Sequence, residues 1–456
     1  MDNNGESKEA MPWEITLKVF EDKEPRHFSF KEDKLQKLGS SEDALTISQF
    51  RQEVEPWLTA LFQNEHLNLL AGSGLTCAAS YLASQQTGAT MGDAEFTAYP
   101  NKDLLLKAVE TSAKESGRDQ PNLEDQIRTA NKLLEGLKIL EHDGKNYSSV
   151  ELQSDISDIL SNLIRSVLGT ENLIETLPKP QKQPEDTARY LMSFLLSFAS
   201  RTASRDRLHI FTTNYDRLIE WAADMAGIRL MDRFVGSLNP IFRSSRVELD
   251  MHYNPPGIRG EPRYLEGLAR YTKLHGSLDW SYKNRHVRKV AVPFGAPSFE
   301  PYFVEPTNCL IFPNAAKDRE TSEFPYVELF RDFAAATCRP NTVLVCYGYG
   351  FGDEHINRVI EDMLSIPSTH LVIISIDNPG NRISNFYERV GRSDQISLMI
   401  GVPFAEITNL VDTFLPKPAI DLTTQKVQEI ITSRGWDKKT SKEDLSDDSN
   451  QLGELI

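Results

Sequence analysis

Two apolar runs in this chain empty directly into glycine-rich turns, and that arrangement constrains the fold more than any other feature. His66-Leu67-Asn68-Leu69-Leu70-Ala71 runs into Gly72-Ser73-Gly74-Leu75-Thr76, ahead of a helical stretch reaching about Ala83. Asn341 to Tyr347 runs into Gly348-Tyr349-Gly350-Phe351-Gly352-Asp353, ahead of a second helical stretch ending near Leu364. A short apolar run, a glycine turn and a helical pattern read as a strand–turn–helix unit. Leu208 to Thr213 repeats the scheme with a polar turn, Asn214-Tyr215-Asp216, and a helix from Arg217 to Ala226. His370 to Ile376 ends in Asp377-Asn378-Pro379-Gly380, and Ile396 to Ile400 precedes a helix read over Phe404 to Phe414. Strands alternating with helices predict an α/β fold: a Rossmann-type doubly wound parallel sheet.

The other segments arrange themselves around that sheet. Residues 1–60 read as an N-terminal arm and helix. Trp13 to Phe20 suits an edge strand or an arm, and Ser48 to Phe62 a helix with Pro56 inside it. Residues 61–415 form the main domain, with a helical insertion at about 101–205. There Leu123, Ile127, Ala130, Leu133 and Leu134 recur at helical spacing, as do Ile156, Ile159, Leu160, Leu163 and Ile164. Pro178-Lys179-Pro180 breaks the pattern and Pro184-Glu185-Asp186 starts a further helix. Asn254-Pro255-Pro256-Gly257 reads as a turn, Ser281 to Val292 as a locally basic β-hairpin, and Cys309 to Pro313 as a short strand. Residues 416–456 are an acidic tail, with few apolar side chains from about Asp437, expected to be mobile.

The net charge of −16 argues against broad binding to nucleic acid or anionic membrane. The four cysteines, Cys77, Cys309, Cys338 and Cys346, include no C-x-x-C pair, so neither zinc-knuckle spacing nor a disulfide framework is expected. Residues 1–11 are polar and acidic, unlike a signal peptide, and the longest apolar runs fall short of a membrane span. These features predict a cytoplasmic protein.

The chemistry-bearing residues sit at strand ends, where open α/β sheets bind ligands. In Leu274-His275-Gly276-Ser277 an imidazole stands at a bend. It suits a general base, or a structural loop histidine. Asn214 and Asp216 suit a water, an amide or a ribose hydroxyl, or simply cap the following helix. The glycine turns suit close backbone approach to a phosphate, or an ordinary tight connection.

Taken together and in order, Gly72 to Thr76, Thr213 to Asp216, Leu274 to Ser277, Gly348 to Asp353 and Asp377-Asn378 resemble the sirtuin superfamily. The chain is most similar to its zinc-free bacterial branch, the sirtuin-like NAD hydrolases of anti-phage defence, over roughly residues 60–415. That resemblance implies NAD+ as substrate, with Asn214 and His275 catalytic. It implies that Gly72, Ser73, Gly74 and Thr76 hold the pyrophosphate and that Asp216 lies near the nicotinamide amide. Gly348 and Tyr349 would contact the adenosine side, and Asp377 and Asn378 the adenine ribose. It further implies a homo-oligomer, with a possible partner such as a HerA-type DNA-translocating ATPase. Two departures matter. The first turn is Gly-Ser-Gly where typical members have Gly-Ala-Gly, without the Pro-Asp-Phe-Arg that follows there. The four-cysteine zinc module is also missing. The second departure weighs against peptide deacylation and leaves NAD cleavage intact. Alternatives are a catalytically silent NAD- or nucleotide-sensing subunit, and a deacylase or ADP-ribosyltransferase.

Overall fold

The structure, a computed structural model, describes residues 13–40, 43–86, 94–115, 121–176, 184–201, 205–245, 250–253, 263–283, 285–302 and 324–417. The turn read at Asn254 to Gly257, the break at Pro178 to Pro180, the strand at Cys309 to Pro313 and the tail beyond Lys417 lie outside the described residues.

One sheet of 11 strands organises the described chain. Its strands are β1 (Thr16–Lys18), β2 (Arg26–Lys31), β3 (Lys34–Lys37), β4 (Leu45–Thr46), β5 (His66–Ala71) and β6 (His209–Thr212). They continue with β7 (Arg229–Met231), β8 (Leu268–Lys273), β9 (Thr342–Tyr347), β10 (His370–Ser375) and β11 (Ile396–Ile400). The order across the sheet is β4-β3-β2-β1-β11-β10-β9-β5-β6-β8-β7. From β11 to β7 every neighbouring pair is parallel. The run β8-β6-β5-β9-β10-β11 is the 3-2-1-4-5-6 order of a doubly wound sheet, so the chain reverses its sense of winding between β5 and β9. Ala71 pairs with Tyr347 on one side and Thr212 on the other, and Thr212 with Lys273. The carboxyl ends of β9, β5, β6 and β8 therefore stop level, at the crevice where such sheets bind ligands.

Both faces of the parallel strands are covered, which is why these strands read as continuous apolar runs. Leu69, Ile210, Val345, Ile374 and Met399 face one core. It is shared with helices α1 (Arg51–Phe62), α2 (Ser73–Ser84), α6 (Pro184–Ala199) and α7 (Leu218–Ala226). Leu70, Phe211, Leu344, Cys346 and Ile373 face the other, under α8 (Tyr326–Thr337), α9 (Glu354–Leu364) and α10 (Arg382–Val390).

The helical insertion is α3 (Lys102–Glu115), α4 (Leu123–Leu140) and α5 (Ser149–Thr176), followed by α6. Asn122 starts α4 with a capping box, its side chain accepting from Asp125 N while its own N–H reaches the Asp125 carboxylate. The apolar stripes read from sequence form one core, and that core also takes in Tyr215 after β6, Leu278 after β8 and Val292 further along the chain. The insertion is thus built onto the ends of the sheet.

Two local readings need correction. Trp13 to Phe20 does not supply an edge strand. Its β1 lies between β11 and β2, and all three residues are buried. Phe404 to Phe414 is not one helix either. It is split into Val402–Ala405, Ile407–Asn409 and a π turn, Leu410–Phe414. Glu406 is extended there, and its carboxylate accepts the Asn409 N–H, restarting the helix. The hairpin read over Ser281 to Val292 forms as Trp280–Lys283 against His286–Lys289.

Candidate functional site

The floor of the crevice is made by two glycine turns set against each other. A Cβ on Gly74 would stand 2.5 Å from the Gly348 Cα, and one on Gly72 would stand 2.5 Å from the Gly348 carbonyl oxygen. Gly348 itself adopts φ +60° and would meet the Gly74 Cα at 2.6 Å. Only glycine fits these three positions. The contact is fastened by Gly72 N–H to Tyr347 O at 3.0 Å and Gly74 N–H to Gly348 O at 2.9 Å. These amides, read from sequence as phosphate donors, are therefore taken up between the turns. Ser73 and Thr76 of α2 are the residues of that turn that line the cleft above.

The loop after β6 brings in the next groups. Asn214 Nδ2 donates to Gly72 O at 2.9 Å and to Thr76 Oγ1 at 3.0 Å. Both amide protons are thus used, and the side-chain carbonyl is left to meet a ligand. Thr76 Oγ1 in turn donates to Asp216 Oδ2 at 2.5 Å, while Asp216 Oδ1 accepts Leu218 N–H at 3.2 Å at the start of α7. Asp216 thus caps the start of α7 with one oxygen, holds Thr76 with the other, and lines the cleft. Lys273, at the end of β8 and only 2% exposed, cross-links the loop. Its Nζ donates to Tyr215 O at 3.3 Å and to Asp216 O, and it pairs with Glu220 at 3.2 Å.

His275 follows β8 in a tight bend closed by Gly276 at φ +86°. Leu274 N–H still bonds Thr212 O at 2.8 Å, and Leu278 N–H bonds Tyr215 O at 2.9 Å. The histidine bend and the Asn214 loop are therefore one hydrogen-bonded unit. His275 Nε2 lies 2.8 Å from Asp353 Oδ2 of the second glycine turn. Asp353 and Arg382 both line the cleft. Arg382 lies against that turn, where a Cβ on Gly352 would come within 3.0 Å of Nη1 and one on Gly350 within 3.3 Å of Nη2.

The remaining residues named from sequence fall around the cleft. Tyr349 contributes to its wall, but its hydroxyl turns away to Asp353 O and Asn357 Oδ1, and burial pushes its pKa well up. Asp377 and Asn378 are at the end of β10, outside the lining residues. The Asn378 side chain binds Ser384 Oγ and the amides of Ile383 and Ser384 at the start of α10. The Asp377 charge still bears on Cys77, which lines the cleft. Burial first, then Asp216 and Asp377, push that thiol up, which favours the protonated form in the cleft wall.

The opposite wall is the insertion. Leu163, Val167 and Thr170 of α5, with Asn122 at the head of α4, complete a cleft of about 370 Å³. A buried ion pair fixes this wall to the loop after β6. Arg217 Nη2 lies 2.5 Å from Glu171 Oε2, with the two side chains 9% and 0% exposed. The Arg217 N–H also reaches Glu171 Oε1 at 2.9 Å, and the guanidinium bonds the carbonyls of Val292 and Pro293. Burial pushes the Glu171 carboxyl up against the pull of Arg217. Neither partner has a local sequence signal, since they are 46 residues apart. Asp353 ends the glycine-rich turn Gly348 to Asp353, where its sequence position reads equally as a helix cap.

Among the described residues, no group of three or more His, Cys, Asp or Glu side chains could hold a metal ion, and no helix is long and apolar enough to cross a membrane.

The fold and the cleft define a Rossmann-type α/β protein with its polar groups gathered at the switch point of a doubly wound sheet. Residues 208–391 match the SIR2-like domain family. That stretch holds Asn214, Asp216, His275, Asp353 and Arg382. The match supports a sirtuin-like family and, at the family level, NAD-dependent enzyme activity. No curated protein matches the chain.

Proposed function

We propose that the chain hydrolyses NAD+ at the nicotinamide–ribose bond, giving nicotinamide and ADP-ribose, as an NAD-depleting effector of bacterial anti-phage defence. The observation that carries this reading is the convergence of Asn214, Asp216, Thr76 and the His275–Asp353 pair on one cleft at the switch point of the sheet. Cleavage passes through an oxocarbenium-like state, as in glycoside hydrolysis. The residues suit its needs. The Asn214 carbonyl orients the attacking water or a ribose hydroxyl, and His275 serves as the base, a role worth ~10²–10⁴-fold. Asp216 reads the nicotinamide amide. Ser73 and Arg382 take the diphosphate above the interlocked Gly72, Gly74 and Gly348, and Tyr349, Asp377 and Asn378 border the adenosine side. No step calls for a metal.

An unrestrained hydrolase would exhaust its own cell, so the resting enzyme is held nearly silent. The insertion supplies one wall of the cleft and grips Arg217, so it is the element through which a second copy, or a partner such as a HerA-type ATPase, would act in the cytoplasm. Nicotinamide release by the purified chain, alone and with its genomic neighbour, tests the reading. Release that is lost in Asn214→Ala supports it. NAD+ binding with no release under either condition points instead to a silent sensing subunit, and turnover of an acetylated peptide to a deacylase.

A further inference from the structure

The turn after β9 ends in an acid whose two oxygens have different tasks. Asp353 Oδ1 accepts the His355 N–H at 3.0 Å and caps α9. Oδ2 lies 2.8 Å from His275 Nε2, with the two side chains 18% and 16% exposed, histidine first. A cap needs only the first oxygen, so capping leaves the second contact unexplained. An ionised carboxylate can only accept, so the ring nitrogen facing it carries the proton and Nδ1 is the basic nitrogen of the neutral ring. We propose that Asp353 is the positioning residue of His275, holding the imidazole in its Nε2–H tautomer and raising its basicity. The inference rests on the reading of the cleft as an NAD+-cleaving site. In the step it serves, the water oxygen bonds the ribose C1′ and the C1′–nitrogen bond breaks. The bonding pair goes to the pyridinium nitrogen, nicotinamide leaves neutral, and the water proton passes to His275 Nδ1.

The other titratable groups lining the cleft are Cys77 on α2, Tyr215 and Asp216 after β6, Tyr349 on the β9 turn and Arg382 on α10. Burial pushes Cys77 and Tyr349 up, so both stay neutral at working pH. Asp216 and Arg382 are then the charged residues besides Asp353 among those lining the cleft.

The test is Asp353→Asn in the full chain. Asparagine caps a helix as well as aspartate does, so α9 is retained. Its amide N–H, turned to Nε2, favours the opposite tautomer. The expected result is a ~10²–10⁴-fold fall in kcat with KM for NAD+ and Tm nearly unchanged. In Asp353→Ser, which also caps, the apparent base pKa of the kcat/KM profile falls, because a negative charge beside the ring is gone. Nitrogen NMR of the histidine-labelled chain, with His275 assigned by His275→Gln, reads the tautomer directly. It should show Nε2–H in wild type and Nδ1–H in Asp353→Asn. A wild-type ring protonated on Nδ1, or an Asp353→Asn enzyme with kcat near wild type, overturns the proposal. If the wild type releases no nicotinamide, the hydrolase reading fails by itself, and the tautomer measurement still decides the role of Asp353.

Discussion

The turns after β5 and β9 look alike in sequence and do different work. Gly72 to Thr76 presses its backbone onto Gly348 and turns hydroxyls, Ser73 and Thr76, toward the cleft. Gly348 to Asp353 supplies the other half of that contact, then carries Arg382 against Gly350 and Gly352 and ends in the acid that meets His275. A glycine in such a turn is therefore not by itself a sign of ligand contact. Gly72, Gly74 and Gly348 are explained by each other, whereas Gly350 and Gly352 make room for a cationic side chain.

The largest test of this contrast is Gly348→Ala. The new Cβ would meet backbone at 2.6 Å in a left-handed conformation, and backbone cannot step aside. A loss of more than ~4 kcal/mol is expected, seen as failure to recover folded protein. A normally folded Gly348→Ala would break the account of the floor. Gly350→Ala meets only the Arg382 guanidinium and the Pro379 ring, so it should fold and show its effect in a raised KM for NAD+.

Glu171→Ala comes next. It strands the buried Arg217 and loosens the insertion from the loop after β6, which should cost about 3–5 kcal/mol in denaturant unfolding. A change under about 1 kcal/mol would mean the ion pair is not the anchor described here.

A graded effect belongs to His370, at the start of β10 and far along that strand from the cleft. Burial first, then the charge of Lys18, hold its pKa at about 4 against an ordinary 6.5. The folded state thus binds fewer protons than the unfolded chain, and the stability this site contributes is complete above 6.5 and lost as pH falls toward about 4. The Tm gap between wild type and His370→Asn should therefore narrow from pH 7 to pH 4.5; a constant gap would contradict the assignment. The smallest effect, of opposite sign, is Gly136→Ala in α4. No atom lies within 4 Å of the added Cβ, so a gain of up to about 1 kcal/mol is expected.

The strand–turn–helix units were legible because their signals are local. Apolar runs such as Leu67 to Ala71 and Val343 to Tyr347 are buried on both faces, so period and length alone mark them. The gathering of Asn214 and His275 was legible through their common position at strand ends. The Asp353–His275 contact, the Lys273 cross-link and the Glu171–Arg217 anchor depend on parallel register and on helix docking, and no spacing in the chain encodes those distances. The split of Phe404 to Phe414 escaped for a similar reason. Its apolar residues suit a helix, and only the extended Glu406, capping Asn409, interrupts it.

The measurement that bears most directly on the central claim is release of labelled nicotinamide from NAD+ by the purified chain, beside Asn214→Ala and His275→Ala. Activation by assembly or a partner should raise release at least roughly tenfold, a shift of about 1.4 kcal/mol. Wild type under activating conditions should release nicotinamide, and both variants should fall by ~10²-fold or more with Tm almost unchanged. Release within a few-fold of wild type in either variant would contradict the site.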